Sequence, residues 1–413
     1  METSTKWLTS TNAIAGVGAG VPTHLANRKN WPRVIYVIGL LLCIEVALQM
    51  FYWVTTGSLL YVRDKPPIWA ADSVSGWTNR PSFSYRHMTP EFAVDLHTNS
   101  QGFRVSALGE EYLRMKPPGT FRILLLGPSF AYGWGVNFED TFGVQLQRIL
   151  EKSQFASGRS IEVLNHGVPA LPAANQLEWF RQIGKDYSPD LVIHFVYGSL
   201  EVSSQTDRSI TVTDGGLRPL DASAADFMWG YAKNSAAVFY TGVLVTQLAK
   251  SAGIDRRGGC IEGAGREICA TTLFDAYSTT VRESTAFYRT FKQVAQESGA
   301  DFLAVHFPLA YVIYPEDRTR WALQGVENID AQVVFNTEFA AHLKKQAVPC
   351  LNLTESLVEY AKQEQERLYY WLDVHWTPLG NRRSAELVGQ YLERERRGSA
   401  FRSHDFQRSI SER

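Results

Sequence analysis

The stretch FRILLLGPSFAYGWGVNFEDTF, residues 121–142, decides how the rest of the chain is read. It opens as a continuous apolar run of strand length, the pattern of a strand with both sheet faces buried. The run stops at Gly127, Pro128 and Ser129 and gives way to a glycine- and aromatic-rich segment. Ser129 thus follows directly on a buried strand, either as a turn residue or as a nucleophile at the strand's end. Downstream, DTFGVQLQRILEKS has apolar residues at helical spacing, SIEVLNHGV reads as a strand, AANQLEWFRQIGKDY as a helix and PDLVIHFVY as another strand. This βαβαβ succession predicts an α/β domain in which helices sandwich a parallel sheet.

After residue 203 the rhythm breaks through Gly-Gly pairs and an aromatic-rich stretch at 227–240, which reads as an insertion at 204–274. It then resumes with a helix from Ala276, the strand DFLAVHFP, a helix near 330–345, the strand VPCLNL and the closing helix NRRSAELVGQYLERERR. The domain is therefore expected over residues 121–397, with a disordered tail at 398–413. Residues 56–120 alternate short aromatic and polar runs with prolines and read as an irregular lead-in containing a few strands.

The segment VIYVIGLLLCIEVALQMFYWV, Val34–Val54, carries a single charged side chain, Glu45. At helical rise it reaches about 31 Å, enough to span a bilayer. Residues 34–55 are thus read as a transmembrane anchor and residues 1–33, which are polar, as a disordered cytoplasmic tail. A cleaved leader fits less well, because no small-x-small site follows the apolar run. Glu45 as an ion would cost roughly 2.5 to 3.5 kcal/mol, so it is expected to be protonated or paired with another helix. A multi-spanning membrane partner is one such pairing, and a tolerated polar residue is the other reading.

The chain has 413 residues, 45% hydrophobic and 20% charged, with formal net charge -1. That is enough for a large core, and it lacks the basic footprint of a nucleic-acid binder. Cys260 and Cys269 bracket a glycine-rich loop and are spaced to close a disulfide, which persists in an oxidising compartment. Neither this loop nor any other stretch offers a metal-binding set of Cys and His, and no phosphate-cradling loop is present. No cofactor is expected.

Ligands of a parallel α/β sheet bind beyond the carboxyl ends of its strands. Three ends stand out: GPSFAYG with Ser129, NHGVPA with Gly167, and YGSLE with Ser199. Far downstream, Asp373 and His375 stand two apart in YYWLDVHWTPLGN, just before a helix. A serine hydroxyl needs a base, and an imidazole base needs a carboxylate to fix its tautomer. Ser129, His375 and Asp373 supply these roles, and backbone N–H groups at Ser129 and Gly167 could face a developing oxyanion. His166, His194 and His306 sit on apolar strands and read as core histidines.

These blocks resemble the SGNH (GDSL-type) hydrolases. That family has a Gly-Asp-Ser block after the first strand, an Asn-x-Gly-like block after the second, Gly-x-Asn-Asp after the third and Asp-x-His or Asp-x-x-His near the C-terminus. The resemblance runs from HTNSQGFR at residue 97 to GQYL ending at 392, and DVHWTPLGN with GPSFAYGWGVNFEDTF points to an envelope-associated bacterial branch. It implies a flavodoxin-like three-layer α/β/α sandwich and acyl-ester hydrolysis or acyl transfer. In that scheme Ser129 forms the acyl-enzyme and water or a sugar hydroxyl accepts the acyl group. Related anchored members handle O-acetyl groups on envelope polysaccharides, so an acylated carbohydrate is the implied substrate, with the domain on the outer side of the cytoplasmic membrane. Two positions depart: Pro128 replaces the acidic residue before the nucleophile, and Ser199 or Leu200 occupies the slot of the oxyanion-hole asparagine. Ser199 or Asn175 is the candidate replacement donor. Without one, the alternative is a degenerate domain that binds glycan or scaffolds an envelope polysaccharide complex.

Overall fold

The computed structural model describes residues 31–56, 59–60, 66–89, 91–196, 206–221, 223, 232, 234–251, 261–263, 266–268, 273–318, 339–371, 373 and 375–397. In chain order these form α1 (Trp31–Thr56), then β1 (Trp69–Asp72), β2 (Gly76–Asn79), β3 (Ser84–Met88), β4 (Ala93–Thr98) and β5 (Arg104–Val105). The core begins with β6 (Thr120–Gly127), α2 (Ser129–Tyr132), α3 (Phe142–Glu151), β7 (Ser160–Gly167), α4 (Ala173–Gln182) and β8 (Leu191–Val196). Within the insertion lie β9 (Ile210–Thr213), β10 (Gly216–Pro219), α5 (Ala236–Ser251), β11 (Ile261–Gly263) and β12 (Arg266–Ile268). The core resumes with α6 (Leu273–Glu297), β13 (Asp301–His306), α7 (Ala310–Ile313), β14 (Cys350–Asn352), α8 (Thr354–Gln363) and α9 (Pro378–Arg397).

The central sheet has the order β14-β13-β8-β6-β7, and all its pairings are parallel. Side chains of a strand alternate between faces, so a strand buried on both sides must be apolar throughout. β6 shows this directly. Ile123 and Leu125 join the core cluster beneath α3, α8 and α9, whereas Leu124 and Leu126 join the opposite cluster beneath α4 and α6. The result is an α/β/α sandwich.

The lead-in is more ordered than its sequence suggests. β3, β4 and β5 form an antiparallel sheet, and Ile68, Phe83, Phe92, Val94 and Leu96 pack on Tyr132 of the core. The β9–β10 hairpin of the insertion lies with Trp77, Val168 and Leu171 around Ile210, Val212 and Leu217. Cys350 is buried, and burial pushes its thiol up to about 12. Cys260 and Cys269, Ser199 and the two terminal tails at 1–30 and 398–413 lie outside the described residues.

Trp31–Val54 is long and apolar enough to cross a bilayer, with a mean hydropathy of 2.3. Glu45 is paired within the chain: its carboxylate accepts hydrogen bonds from Gln49, from the Ser235 hydroxyl and from the backbone N–H groups of Ala236 and Ala237. The carboxylate therefore meets another helix of the same chain, α5, rather than requiring a separate protein.

The three strand histidines are core residues. His194 is buried between Gln176 and the Tyr288 hydroxyl, at 3.1 and 3.2 Å. His166 stacks on Trp179 with ring centroids 3.6 Å apart. His306 Nδ1 stands 3.4 Å from Asn352 Oδ1.

Candidate active site

β6 lies between β8 and the edge strand β7, and the chain leaves it first to β7 on one side and then to β8 on the other. The carboxyl end of β6 is therefore a topological switch point, where open α/β sheets take their ligands. Gly127 ends the strand because a Cβ there would lie 2.7 Å from Phe195 Cβ and 2.8 Å from Ala131 Cβ. Only glycine allows the chain to turn this tightly into α2, whose first residue is Ser129. Gly133 and Trp134 N–H close back on the Ser129 carbonyl at 3.1 and 3.0 Å, which fixes the turn.

His375 arrives on a loop between α8 and α9. A bridge between Tyr369 and Trp376 pins that loop, together with hydrogen bonds from Tyr370 N to His375 O (3.0 Å) and Thr377 N to Leu368 O (2.9 Å). The buried Trp376 ring and Phe130 hold it against the core. His375 Nε2 stands 2.6 Å from Ser129 Oγ, and His375 Nδ1 is hydrogen-bonded to Asp373 Oδ1. Asp373 Oδ1 also accepts the His375 backbone N–H at 2.9 Å. Ser129, His375 and Asp373 are thus brought together with the hydroxyl aimed at one ring nitrogen and the carboxylate at the other. The side chains of His375 and Asp373 are 13% and 26% exposed, so the pair is accessible without being open to bulk water.

Burial by itself raises the Asp373 carboxyl. The attraction of the His375 ring and the hydrogen bonds from its ring and backbone N–H outweigh this, with His87 acting in the same direction, and the carboxyl is held below its ordinary value. Asp373 is accordingly ionised at neutral pH and can stabilise an imidazolium.

Two contributors come from the lead-in and carry no sequence signal of their own. Glu91, at the β3–β4 turn, accepts the backbone N–H of Trp371 at 2.5 Å and of Asp373 at 2.8 Å. It clamps the loop that carries the acid. His87 and Phe92 meet Trp134 and Tyr370 in an aromatic wall, and the Trp134 ring lies 5.9 Å from that of His375. Trp134 therefore borders the site rather than only packing under its loop. Glu91→Ala is expected to lower ester turnover about 100-fold with little change in KM, because a small misplacement of a catalytic group costs that much. Glu91→Gln, which keeps one acceptor oxygen, should fall between. Steady-state kinetics beside a thermal melt checks this, and unchanged kcat in a folded Glu91→Ala variant would remove the clamp from the site.

The expected oxyanion donors fare differently. Ser129 N–H opens α2 and so has no acceptor within the helix. Gly167 N–H is already given to Asn165 Oδ1 at 2.9 Å, and the position of its missing Cβ lies 2.1 Å from Tyr132 N. This glycine serves the close packing of β7 on α2, and its N–H is not offered to a ligand in this state. Asn175 is also committed: its Nδ2 donates to Ser75 O (2.9 Å) and Asp207 O (2.8 Å), and its Oδ1 accepts Asp207 N–H. It ties the insertion to the β1–β2 hairpin through both polar atoms of its side-chain amide. Among the described residues no group of three or more His, Cys, Asp or Glu side chains converges to hold a metal ion.

Residues 272–412 match the family model described as SGNH hydrolase-like domain, acetyltransferase AlgX. None of the curated proteins compared matches the chain. Among solved structures, it is similar to a putative lipolytic protein of the G-D-S-L family from Desulfitobacterium hafniense, with 13% identity, 65% of this chain and 98% of that one covered, and a TM-score of 0.35. It is similar also to the inhibitor-bound M. smegmatis aryl esterase, with 14% identity, coverage of 66% and 98%, and a TM-score of 0.34. A third is a two-domain esterase active on acetylated mannans, with 12% identity, 67% of this chain and 49% of that one covered, and a TM-score of 0.34. The family model thus covers the segment that carries Asp373 and His375, and over that segment, on a three-layer sandwich with a parallel sheet, the chain is similar to the SGNH hydrolases.

Proposed function

We propose that this chain is a membrane-anchored serine esterase or O-acyltransferase that uses Ser129, His375 and Asp373 on acyl, chiefly acetyl, esters of an envelope carbohydrate. At the level of class it is an ester hydrolase or acyltransferase. The observation that carries the finer reading is the 2.6 Å approach of His375 Nε2 to Ser129 Oγ, with Asp373 on the other ring nitrogen. The acetyl group is favoured by the acetyltransferase named in the matching family model.

The chemistry follows from that geometry. His375 takes the hydroxyl proton as Ser129 Oγ attacks the acyl carbon, and the charge on the ring is matched by the Asp373 carboxylate. Ser129 N–H faces the oxyanion. The proton then passes from His375 to the leaving alkoxide, which departs as an alcohol and leaves an acyl-Ser129 ester. His375 next deprotonates water or a sugar hydroxyl, which attacks the acyl carbon and releases either the acid or a new ester, with the proton returned to Ser129.

The anchor reading is supported by the bonds that join Glu45 and Gln49 to residues 234–237 of the insertion. Cleavage of a leader would strip these partners from the mature domain. On this reading the domain lies on the extracytoplasmic side, where envelope glycans reside.

Labelling of the full chain in detergent with a fluorophosphonate tests the nucleophile. A signal lost in both Ser129→Ala and His375→Ala is the expected result. No labelling of the folded protein would sink the esterase reading and leave a glycan-binding or scaffolding domain.

A further inference from the structure

Glu45 takes no part in the proposed ester chemistry, yet its carboxylate accepts four hydrogen bonds. Its Oε1 accepts Gln49 Nε2 and Ala236 N–H, both at 2.8 Å, and its Oε2 accepts the Ser235 hydroxyl at 2.7 Å and Ala237 N–H at 3.0 Å. Ala236 and Ala237 are the first two residues of α5, so the carboxylate satisfies two N–H groups that a helix start leaves without acceptors. It also places a negative charge at the positive end of the helix dipole. Gln49 reinforces the joint, donating to Asn234 O at 3.1 Å and accepting Leu60 N–H at 2.9 Å.

The contact continues along both helices. From Glu45 and Ala236 it advances to Tyr52 against Phe239 and Phe51 against Tyr240, each with ring centroids 5.7 Å apart. α5 thus starts beside the middle of the apolar run of α1 and proceeds toward that run's C-terminal end. Its 16 residues, about 24 Å of helix, contain one charged side chain, Lys250. Thr241, Leu244 and Leu248, which share one stripe at helical spacing, are exposed, the two leucines at 58% and 59%. α1 is itself exposed along most of its apolar surface.

We propose that the N-terminal part of α5 is a second membrane-embedded element, held in the domain-side half of the bilayer by Glu45, with lipid acyl chains covering Thr241 and Leu244 and the helix leaving the hydrocarbon beyond them. The inference rests on reading α1 as a membrane span. A helix docked on residues 45–52 then lies at bilayer depth, because those residues fall inside the apolar run. Backbone that enters hydrocarbon must be satisfied by protein, and half-helices that begin near the bilayer midplane turn their N-termini to anionic groups. Glu45 supplies such a group at the start of α5. A charged residue within the span is thereby accounted for by a partner in the same chain.

The test uses the full chain reconstituted in nanodiscs of phosphatidylethanolamine and phosphatidylglycerol that contain a phospholipid with a diazirine on its acyl chain. After illumination, adducts are mapped by mass spectrometry. Adducts on peptides from both 31–54 and 236–251 are expected. Adducts on 31–54 with 236–251 bare would overturn the proposal while leaving the anchor intact. Adducts on neither would overturn the anchor reading and the proposal with it. Glu45→Leu keeps α1 apolar and removes the cap, and it is expected to reduce adducts on 236–251 at least fivefold without changing those on 31–54. Undiminished labelling of 236–251 in that variant would overturn the role of Glu45.

Discussion

Ser129→Ala is expected to lower ester turnover by about 10^4- to 10^6-fold, His375→Ala by a similar factor, and the double variant by no more than either alone. The reason is geometric. On the proposed mechanism Ser129 Oγ attacks only as His375 Nε2 removes its proton, and the two atoms are 2.6 Å apart. Removing either group ends the same step, so their effects do not add. Asp373→Asn should cost about 10^4-fold, because it leaves the imidazole in place but favours the wrong tautomer. Values of kcat/KM on an activated acetyl ester, measured for the three single variants and the double, provide the check. Additive losses for Ser129 and His375 would mean that they do not act as one unit.

A second large effect concerns acid stability. Burial holds the His166 imidazole at about 3, opposed by the charge of Asp72, and burial likewise holds His194 at about 3. Unfolded, each titrates near 6.5. Between these values the unfolded chain binds more protons than the folded one, so stability is complete above about pH 6.5 and falls as the pH drops toward 3. At pH 5 each histidine withdraws about 2 kcal/mol, and the pair about 4. That is a large part of an ordinary folding free energy. Asp373, whose carboxyl is depressed, contributes in the same direction at lower pH. Denaturant unfolding between pH 7.5 and 5 should show the fall. His166→Phe, which keeps a ring against Trp179, should remove about half of it; an unchanged acid slope in that variant would contradict the assignment.

The parts legible in sequence were those whose physics is local. β6 declares itself because both its faces are buried, and Ser129 is marked by the abrupt end of that run. Asp373 and His375 are marked by their two-residue spacing before a helix. What stayed hidden depends on distant partners. Glu91 looks like an acidic turn residue until Asp373, 282 positions later, is seen to donate to it. The N–H of Gly167 seemed available because nothing in NHG shows that the Asn165 side chain folds back onto it. Asn175 seemed free to reach the site because its tie to Asp207 crosses into the insertion, where the strand and helix rhythm lapses. The anchor was legible from composition, but the helix that meets Glu45 was not, since a carboxylate in an apolar run names no partner.

The Glu91 clamp also sets an order of events in biosynthesis. The turn that holds the acid is made before the first core strand, the nucleophile follows soon after, and the base arrives 246 residues beyond the nucleophile. A nascent chain that has exposed only its N-terminal half therefore presents a serine with no proton acceptor. On the proposed mechanism a chain cut between the nucleophile and the base is expected to be inert toward esters, and gain of activity would mark the docking of the His375 loop against Ser129.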